Sequence, residues 1–390
     1  MTVLFVTTDY IKKGKPTTGL PAYLYRVSQA LISMGHIPVI LVTGREESYR
    51  KRDGVEIYTI SVPEIYFENP CAAYLYQSCM RAWFVNKKIK KLVKSRKVDV
   101  IQFASLNGLG MFYKGKIPAV LRLSSYAKTY FQTYATLDKK LVELMAFVER
   151  MSAKRCNAIF APCQITADAY GRDCHRKTYV IETPFVDDVK SYDYSLYEKE
   201  VVGKKYFLFF GTLYIEKGIL VIGEILEKVL EKYSDYHFVF VGKSMLINGK
   251  NAARVIKEYA GKYKNRVLIY DAIPHERLYP IIKHAKLVIL PSLMDNFPNA
   301  CVEAMYFSKI VIGTDGASFE QLITDGKNGF LCIPGDSKSL LEKIEYAMSM
   351  PDGEKQRMEE MAKKRIELLK PEVAVKRLIR FYDKVIDTVG

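Results

Sequence analysis

The chain has 390 residues, 49% of them hydrophobic and 26% charged, which is enough for two ordinary domains with sizeable cores. Neither Gly nor Pro dominates, so collagen-like and low-complexity classes are excluded. The net charge of +16 is concentrated early, with 28 Lys/Arg against 14 Asp/Glu in residues 1–185 and 31 against 29 in the remainder; this suits a polyanionic neighbour (anionic membrane face, phosphorylated lipid or nucleic acid) or serves solubility alone.

The start, MTVLFVTTDY, has no basic segment followed by a long apolar run, so it is expected to be a first strand and not an export signal. Strand VLFVTT (3–8), a helix near 20–34 and strand PVILVTG (38–44) set a βαβ rhythm. From Tyr74 to Lys97 the apolar Tyr76, Met80, Trp83, Phe84, Ile89 and Leu92 interleave with Lys87, Lys88, Lys90, Lys91, Lys94, Arg96 and Lys97. This predicts a basic amphipathic helix that either docks on an anionic membrane or packs on its own sheet with a solvated basic face. Strands VDVIQFA (98–104) and AVLRLSS (119–125), a helix near 138–153 and strand NAIFAPC (157–163) continue the rhythm.

Between Pro184 and Lys205 the sequence turns polar and aperiodic, as a domain boundary would. Five apolar strands follow, at 206–212, 237–243, 266–272, 287–292 and 310–315, and the stretch 353–389 should end the chain as one or two helices. No apolar run approaches the roughly 18–20 residues needed to span a bilayer. The expected class is α/β, two doubly wound units: a first domain over 1–188, a linker over 189–204, a second domain over 205–352, and C-terminal helices over 353–390 that pack back toward the first. Ligands of such sheets bind at the strands' carboxyl ends, so the site is expected between the domains.

Seven Cys, at 71, 79, 156, 163, 174, 301 and 332, form no Cys-x-x-Cys pair, which fits a reducing cytoplasm. The five His are scattered, with no His-Glu-x-x-His, so no metal site is expected and each is read as an ordinary surface or core residue.

The most informative stretch is LVILPSLMDNFPNACVEAM, a buried strand ending at Pro291 and a polar loop leading into a helix from near Pro298. The amides of Asn299, Ala300 and Cys301 would open an anion-friendly helix N-terminus. Asp295 and Glu303 lie eight positions apart, up to roughly 12 Å at ~1.5 Å per residue, a span suited to an elongated ligand with hydroxyls at its ends and phosphates between. Alternatively Asp295 is a loop or cap residue and Glu303 a solvated helix residue. In FFGTLYIEKGIL (209–220) a strand and Gly-containing turn precede Lys217, a cation placed to neutralise a diphosphate, or else a solvent-exposed lysine. In PTTGLPAYLYRVSQALISMGH (16–36) Gly19 precedes an amphipathic helix. VGKS (241–244) is no P-loop, since His237 stands where that motif needs Gly.

On these motifs the sequence resembles the family-4 retaining glycosyltransferases (glycosyl transferases group 1), whose GT-B fold sets two Rossmann-like domains facing a central cleft. The family holds its donor with a Glu-x7-Glu pair. The resemblance implies that Asp295, in the first acid's place, contacts the donor sugar and Glu303 the ribose. Asp is one methylene shorter, so it either reaches the sugar differently or leaves the contact to the backbone of Phe297 to Asn299. Where the family usually has Gly-Arg-Leu before Lys-Gly, this chain has Gly211 and Thr212 before Lys217, and the missing Arg places more of the charge compensation on Lys217 or on another base.

The same resemblance implies donor contacts from Gly19, where Thr18 replaces a preceding Gly, and from Gly242, Asn296, Pro298 and Ala300, with base contacts at Ala272 and Ile273. GASFEQLITDGKNGFL, with Glu320 and Gly329, is a further echo. Many members carry a His after the strand matched by AVLRLSS; here Ser124 stands there, either meeting an acceptor hydroxyl or serving as a plain loop serine.

The expected function is transfer of a sugar, with retention, from a nucleotide-diphosphate sugar to an acceptor hydroxyl in cell-envelope polysaccharide or glycolipid assembly, with Lys217, Asp295 and Glu303 as catalytic residues. The co-substrate is the nucleotide sugar, UDP favoured over GDP, with no other cofactor; no Asp-x-Asp triplet occurs, in keeping with metal-independent chemistry. The acceptor is a saccharide or a lipid-linked acceptor, and the location cytoplasmic, either free or peripheral on the inner face of the cell membrane. A GT-B epimerase or phosphorylase is the alternative enzyme. A nucleic-acid-binding protein is the alternative of another class, but it rests on charge alone, so nucleic acid is not an expected partner.

Overall fold

A computed structural model describes residues 1–11, 19–131 and 138–389. The chain divides into two compact units, Met1–Val186 with Leu369–Gly390, and Asp187–Leu368.

Unit 1 runs β1 (Thr2–Thr7), α1 (Gly19–Ser33), β2 (Ile37–Gly44), β3 (Ser48–Arg52), β4 (Val55–Ser61), α2 (Pro70–Ser95), β5 (Val100–Ala104), β6 (Ala119–Arg122), α3 (Ala127–Tyr130), α4 (Lys139–Ala153), β7 (Ala158–Ala161), α5 (Gln164–Cys174) and β8 (Thr178–Val180). Its eight-stranded sheet has the order β3-β4-β2-β1-β5-β6-β7-β8 and is parallel except for the β3–β4 hairpin. Strand side chains alternate between faces, and β1 shows both layers: Val3 and Phe5 pack with α1, Leu4 and Val6 with α2 and α4.

In unit 2, β9 (Lys205–Phe210), α6 (Ile219–Lys232) and β10 (Tyr236–Val241) lead to a short hairpin of β11 (Leu246–Ile247) and β12 (Lys250–Asn251). Then come α7 (Ala252–Tyr259), β13 (Val267–Tyr270), α8 (His275–His284), β14 (Leu287–Ile289), α9 (Asn299–Tyr306), β15 (Val311–Thr314), β16 (Phe330–Cys332), α10 (Ser337–Ser349) and α11 (Asp352–Glu367). The main sheet is parallel and six-stranded, β13-β10-β9-β14-β15-β16, one strand more than the sequence reading expects. The extra strand, β16, is three residues long, too short for a periodic signal.

The segment 189–204, read as a linker, belongs to unit 2. Tyr192 packs edge-on to Tyr279 and Phe307, Tyr197 stacks on His284 at 4.3 Å, and Val201 is buried. Its spaced tyrosines thus give a polar sequence an anchor. The terminal helices also part company: α11 stays with unit 2, whereas α12 (Pro371–Val389) belongs to unit 1, where Val375, Leu378, Phe381, Tyr382 and Val385 join the core beside α1.

Helix α2 begins where Asn69 caps the Ala72 amide at 3.0 Å and Pro70 takes the first turn. It buries Val85, Ile89 and Leu92 against the sheet and Ala82 beside Met111 and Val148, and leaves Trp83 49% exposed. No helix among the described residues is long and apolar enough to cross a membrane.

On α4, Glu149 is 3% exposed and accepts the Ala127 amide at 3.2 Å. Burial pushes its carboxyl up to about 8, against the opposing pull of that amide and of Arg150. Raised above its unfolded value, this acid lends stability that is full below the ordinary carboxylate range and is lost as pH rises through about 8. Glu149→Gln, neutral throughout, is expected to melt at least ~3 °C above the parent at pH 8.5, with the gap closing by pH 5 in calorimetric scans.

Candidate functional site

Most of the residues singled out in the sequence sit at the carboxyl ends of unit 2's strands, where loops replace the sheet. After β9 come Gly211 and Thr212, both exposed, then a single helical turn, Ile215–Lys217. After β10 comes Gly242, whose missing Cβ allows a close approach, since a side chain there would overlap the Gly211 carbonyl oxygen. Backbone bonds tie the two loops: Leu213 N–H donates to the Lys243 carbonyl and Met245 N–H to that of Leu213.

The turn carrying Lys217 is docked on the loop after β14. Gly218 has φ +76°, and a Cβ on it would overlap the Pro291 carbonyl oxygen. Leu293 N–H donates to the Glu216 carbonyl at 2.8 Å. This docking brings Lys217 Nζ to 2.6 Å from Asp295 Oδ2, a partly buried ion pair between residues 78 apart in sequence. Asp295 is held from behind, its Oδ1 accepting Asn296 N–H at 2.9 Å and its carbonyl accepting Ser318 Oγ–H at 2.8 Å. Phe297 and Pro298 are buried and fix the entry to α9, so the Asn299 and Ala300 amides open the helix beside this pair.

Glu303, one turn into α9, is 8% exposed; it is no solvated helix residue. His275 Nε2, at the start of α8, lies 3.7 Å from its Oε1 and stacks on Tyr279. That contact sets the loop after β13, with exposed Ala272 and half-buried Ile273, beside Glu303. A cavity of about 440 Å³ opens next to Gly242, lined by Ser244, Asn251, Arg254, Lys257 and Asp271.

The structure therefore gathers Gly211, Thr212, Lys217, Gly242, Ala272, Ile273, Asp295 to Ala300 and Glu303 on one edge of unit 2. Gly19 and Ser124 belong to unit 1: Gly19 opens α1, and Ser124 follows β6. Thr18 lies outside the described residues. Unit 1 also holds a cavity of about 850 Å³ at the ends of β1, β2 and β4, lined by Asp9, Arg45, Arg50, Glu64, Arg81 and Asn107. His275 and Ser318 escaped the sequence reading. A histidine opening the helix after a strand was a usable signal for the first; for Ser318, with φ +69°, none existed.

Chemically, the edge of unit 2 offers a cation, a helix N-terminus and two carboxylates, the parts needed to hold an anionic ligand bearing hydroxyls. The chain also resembles known proteins. The model described as Glycosyltransferase Family 4 matches residues 17–188, and that described as Glycosyl transferases group 1 matches residues 197–365. The 2-deoxystreptamine N-acetyl-D-glucosaminyltransferase of Niallia circulans is 21% identical over 354 residues, 83% of this chain and 87% of its own. Among solved structures, the sucrose-phosphate synthase of Thermosynechococcus elongatus superposes with a TM-score of 0.78 at 16% identity, covering 100% of both chains. The E. coli trehalose-6-phosphate protein bound with UDP-2-fluoro glucose gives 0.70 at 12% identity, covering 97% of this chain and 98% of that one. These likenesses identify the fold as GT-B.

Gly218→Ala must relieve both a positive φ and an overlap with backbone, at a cost of about 2–4 kcal/mol. Its urea midpoint should fall accordingly, while Gly353→Ala, with open space around it, should leave the midpoint unchanged or raise it.

Proposed function

Because this chain belongs to the family-4 type glycosyltransferases, with a nucleotide-sugar donor and a saccharide acceptor, we propose that it is a retaining, metal-independent hexosyltransferase whose donor site is the carboxyl edge of unit 2. The observation that carries this reading is the Lys217–Asp295 pair docked at the start of α9. In the free protein each charge satisfies the other. A donor diphosphate draws Lys217 and the Asn299 and Ala300 amides to its oxygens, which frees Asp295 to accept a sugar hydroxyl, while Glu303 accepts the ribose hydroxyls.

The acceptor oxygen forms a bond to the anomeric carbon, the bond from that carbon to the diphosphate breaks with its electron pair going to the leaving group, and the acceptor's proton leaves with the nucleoside diphosphate. Lys217 and the helix amides stabilise the charge that develops on the leaving group. Gly211, Thr212 and Gly242 line the diphosphate side, and Ala272 and Ile273 the base. UDP is the favoured nucleotide, supported by the E. coli neighbour bound with UDP-2-fluoro glucose.

The acceptor is assigned to the 850 Å³ cavity of unit 1 and to cell-envelope polysaccharide or glycolipid assembly. This location draws support from α2, where exposed Trp83 shares one side with Lys87, Lys90 and Lys94, and from Phe147, 48% exposed on α4, which packs against α2. Lys87 Nζ lies 5.1 Å from the Trp83 ring. An aromatic set among lysines complements an anionic lipid surface. The relative named for 2-deoxystreptamine favours instead a soluble aminocyclitol acceptor.

With UDP-sugars and a saccharide acceptor, Lys217→Ala should lower kcat by ~10²–10³-fold with KM little changed, and Glu303→Ala should raise donor KM by ~10-fold. Wild-type kinetics in both would remove the site assignment. In sedimentation with vesicles, the protein should pellet with phosphatidylglycerol-containing but not phosphatidylcholine vesicles, and Trp83→Ala with Lys87→Glu should abolish it; no binding to either favours the soluble acceptor.

A further inference from the structure

Arg122, at the carboxyl end of β6, is 4% exposed, yet among the described residues no carboxylate pairs with it. Softer contacts hold its charge. The guanidinium lies 3.6 Å from the Tyr23 ring centroid, Nη1 donates to Ser124 Oγ at 2.8 Å, and Nη2 donates to Thr183 Oγ1 at 3.3 Å. Among the described residues its Nε has no hydrogen-bond partner. Nearby Gln102 does not absorb the charge, because its Oε1 accepts the hydroxyls of Tyr382 at 2.5 Å and Tyr23 at 3.5 Å. A buried guanidinium without a counter-ion is costly, and burial lowers its hold on the proton. Retaining one calls for a compensating anion.

Ser124 is the outlet of this charge. Arg122 is sealed, but Ser124 is only half-buried. Arginine can only donate, so the Ser124 oxygen is already an acceptor and its O–H proton is left to donate outward, polarised by the charge behind it. Tyr23 lies four residues into α1 from Gly19, ~6 Å along the axis, so the amides of the first turn of α1 add partial positive charge nearby.

We propose that Arg122 and Ser124 form an oxyanion receptor in unit 1, in which the Ser124 hydroxyl donates to a phosphate or carboxylate oxygen of a ligand and Arg122 acts as its positioning and charging residue. The identity of the carrier, a diphosphate or a singly phosphorylated or carboxylated saccharide, rests on the transferase reading; the receptor does not.

Calorimetric titration of the full chain with UDP, uridine and inorganic phosphate tests this. Ser124→Ala should weaken binding of a phosphate-bearing probe by ~10-fold, the order of one charge-assisted hydrogen bond, and leave uridine unaffected. A loss seen with UDP assigns the oxyanion to a diphosphate, and a loss seen with phosphate alone assigns it to a single phosphate group. Arg122→Lys should stay within ~3-fold of the parent and Arg122→Met should not; if Met prevents folding, Ser124→Ala and Arg122→Lys decide. Unchanged binding of both UDP and phosphate by Ser124→Ala, no binding of either by the parent, or equal binding by the Lys and Met variants overturns the proposal. A parent that binds phosphate but not UDP removes the diphosphate reading and leaves the receptor standing.

Discussion

Everything at the carboxyl edge of unit 2 depends on how closely two pieces of backbone can approach. Gly218 faces the Pro291 carbonyl with no side chain between them, and the Leu293 amide bonds to Glu216 alongside. Without that approach the turn bearing Lys217 would stand off from the loop bearing Asp295. Two strands adjacent in the sheet, β9 and β14, supply the two loops, so the sheet order brings them near and glycine closes the remaining gap. Gly242 repeats the device between β10 and β9. The sites of doubly wound sheets gather at such edges because loops can be exchanged there without disturbing the buried strands.

The two units handle cations in opposite ways. In unit 2, Lys217 is half-exposed and neutralised by Asp295, so its charge becomes available only when a competing anion takes the carboxylate's place. In unit 1, Arg122 is sealed, lacks a carboxylate partner among the described residues, and passes its charge outward through one serine hydroxyl. The first arrangement favours exchange, and the second favours a fixed field.

Much of this was legible in the sequence because strands buried on both faces read as unbroken apolar runs, as in VLFVT, FLFF and FVFV. The β3–β4 hairpin carries little sequence signal because Ser48–Arg52 is charged and mostly exposed; only the Asp53–Gly54 turn, both residues at positive φ, announces it. The candidate donor residues were legible by motif, but the Lys217–Asp295 contact was not, since no spacing rule reaches across 78 residues. Arg122 was hidden for a different reason: inside AVLRLSS a single arginine reads as a strand-end residue, and only the folded chain reveals what surrounds it.

The placement of α12 has a consequence for synthesis. Unit 2 is one continuous segment, Asp187–Leu368, spliced into unit 1, whose core beside α1 is completed by residues from Val375 to Val385. Unit 1 therefore starts on the ribosome before unit 2 and is finished after it. Until α12 emerges, α1 and its sheet face lack their cover, while unit 2 already has its whole sequence. A chain cut short near residue 368 would keep a complete second unit and leave the first with an open apolar seam, the kind of surface that chaperones hold and proteases find.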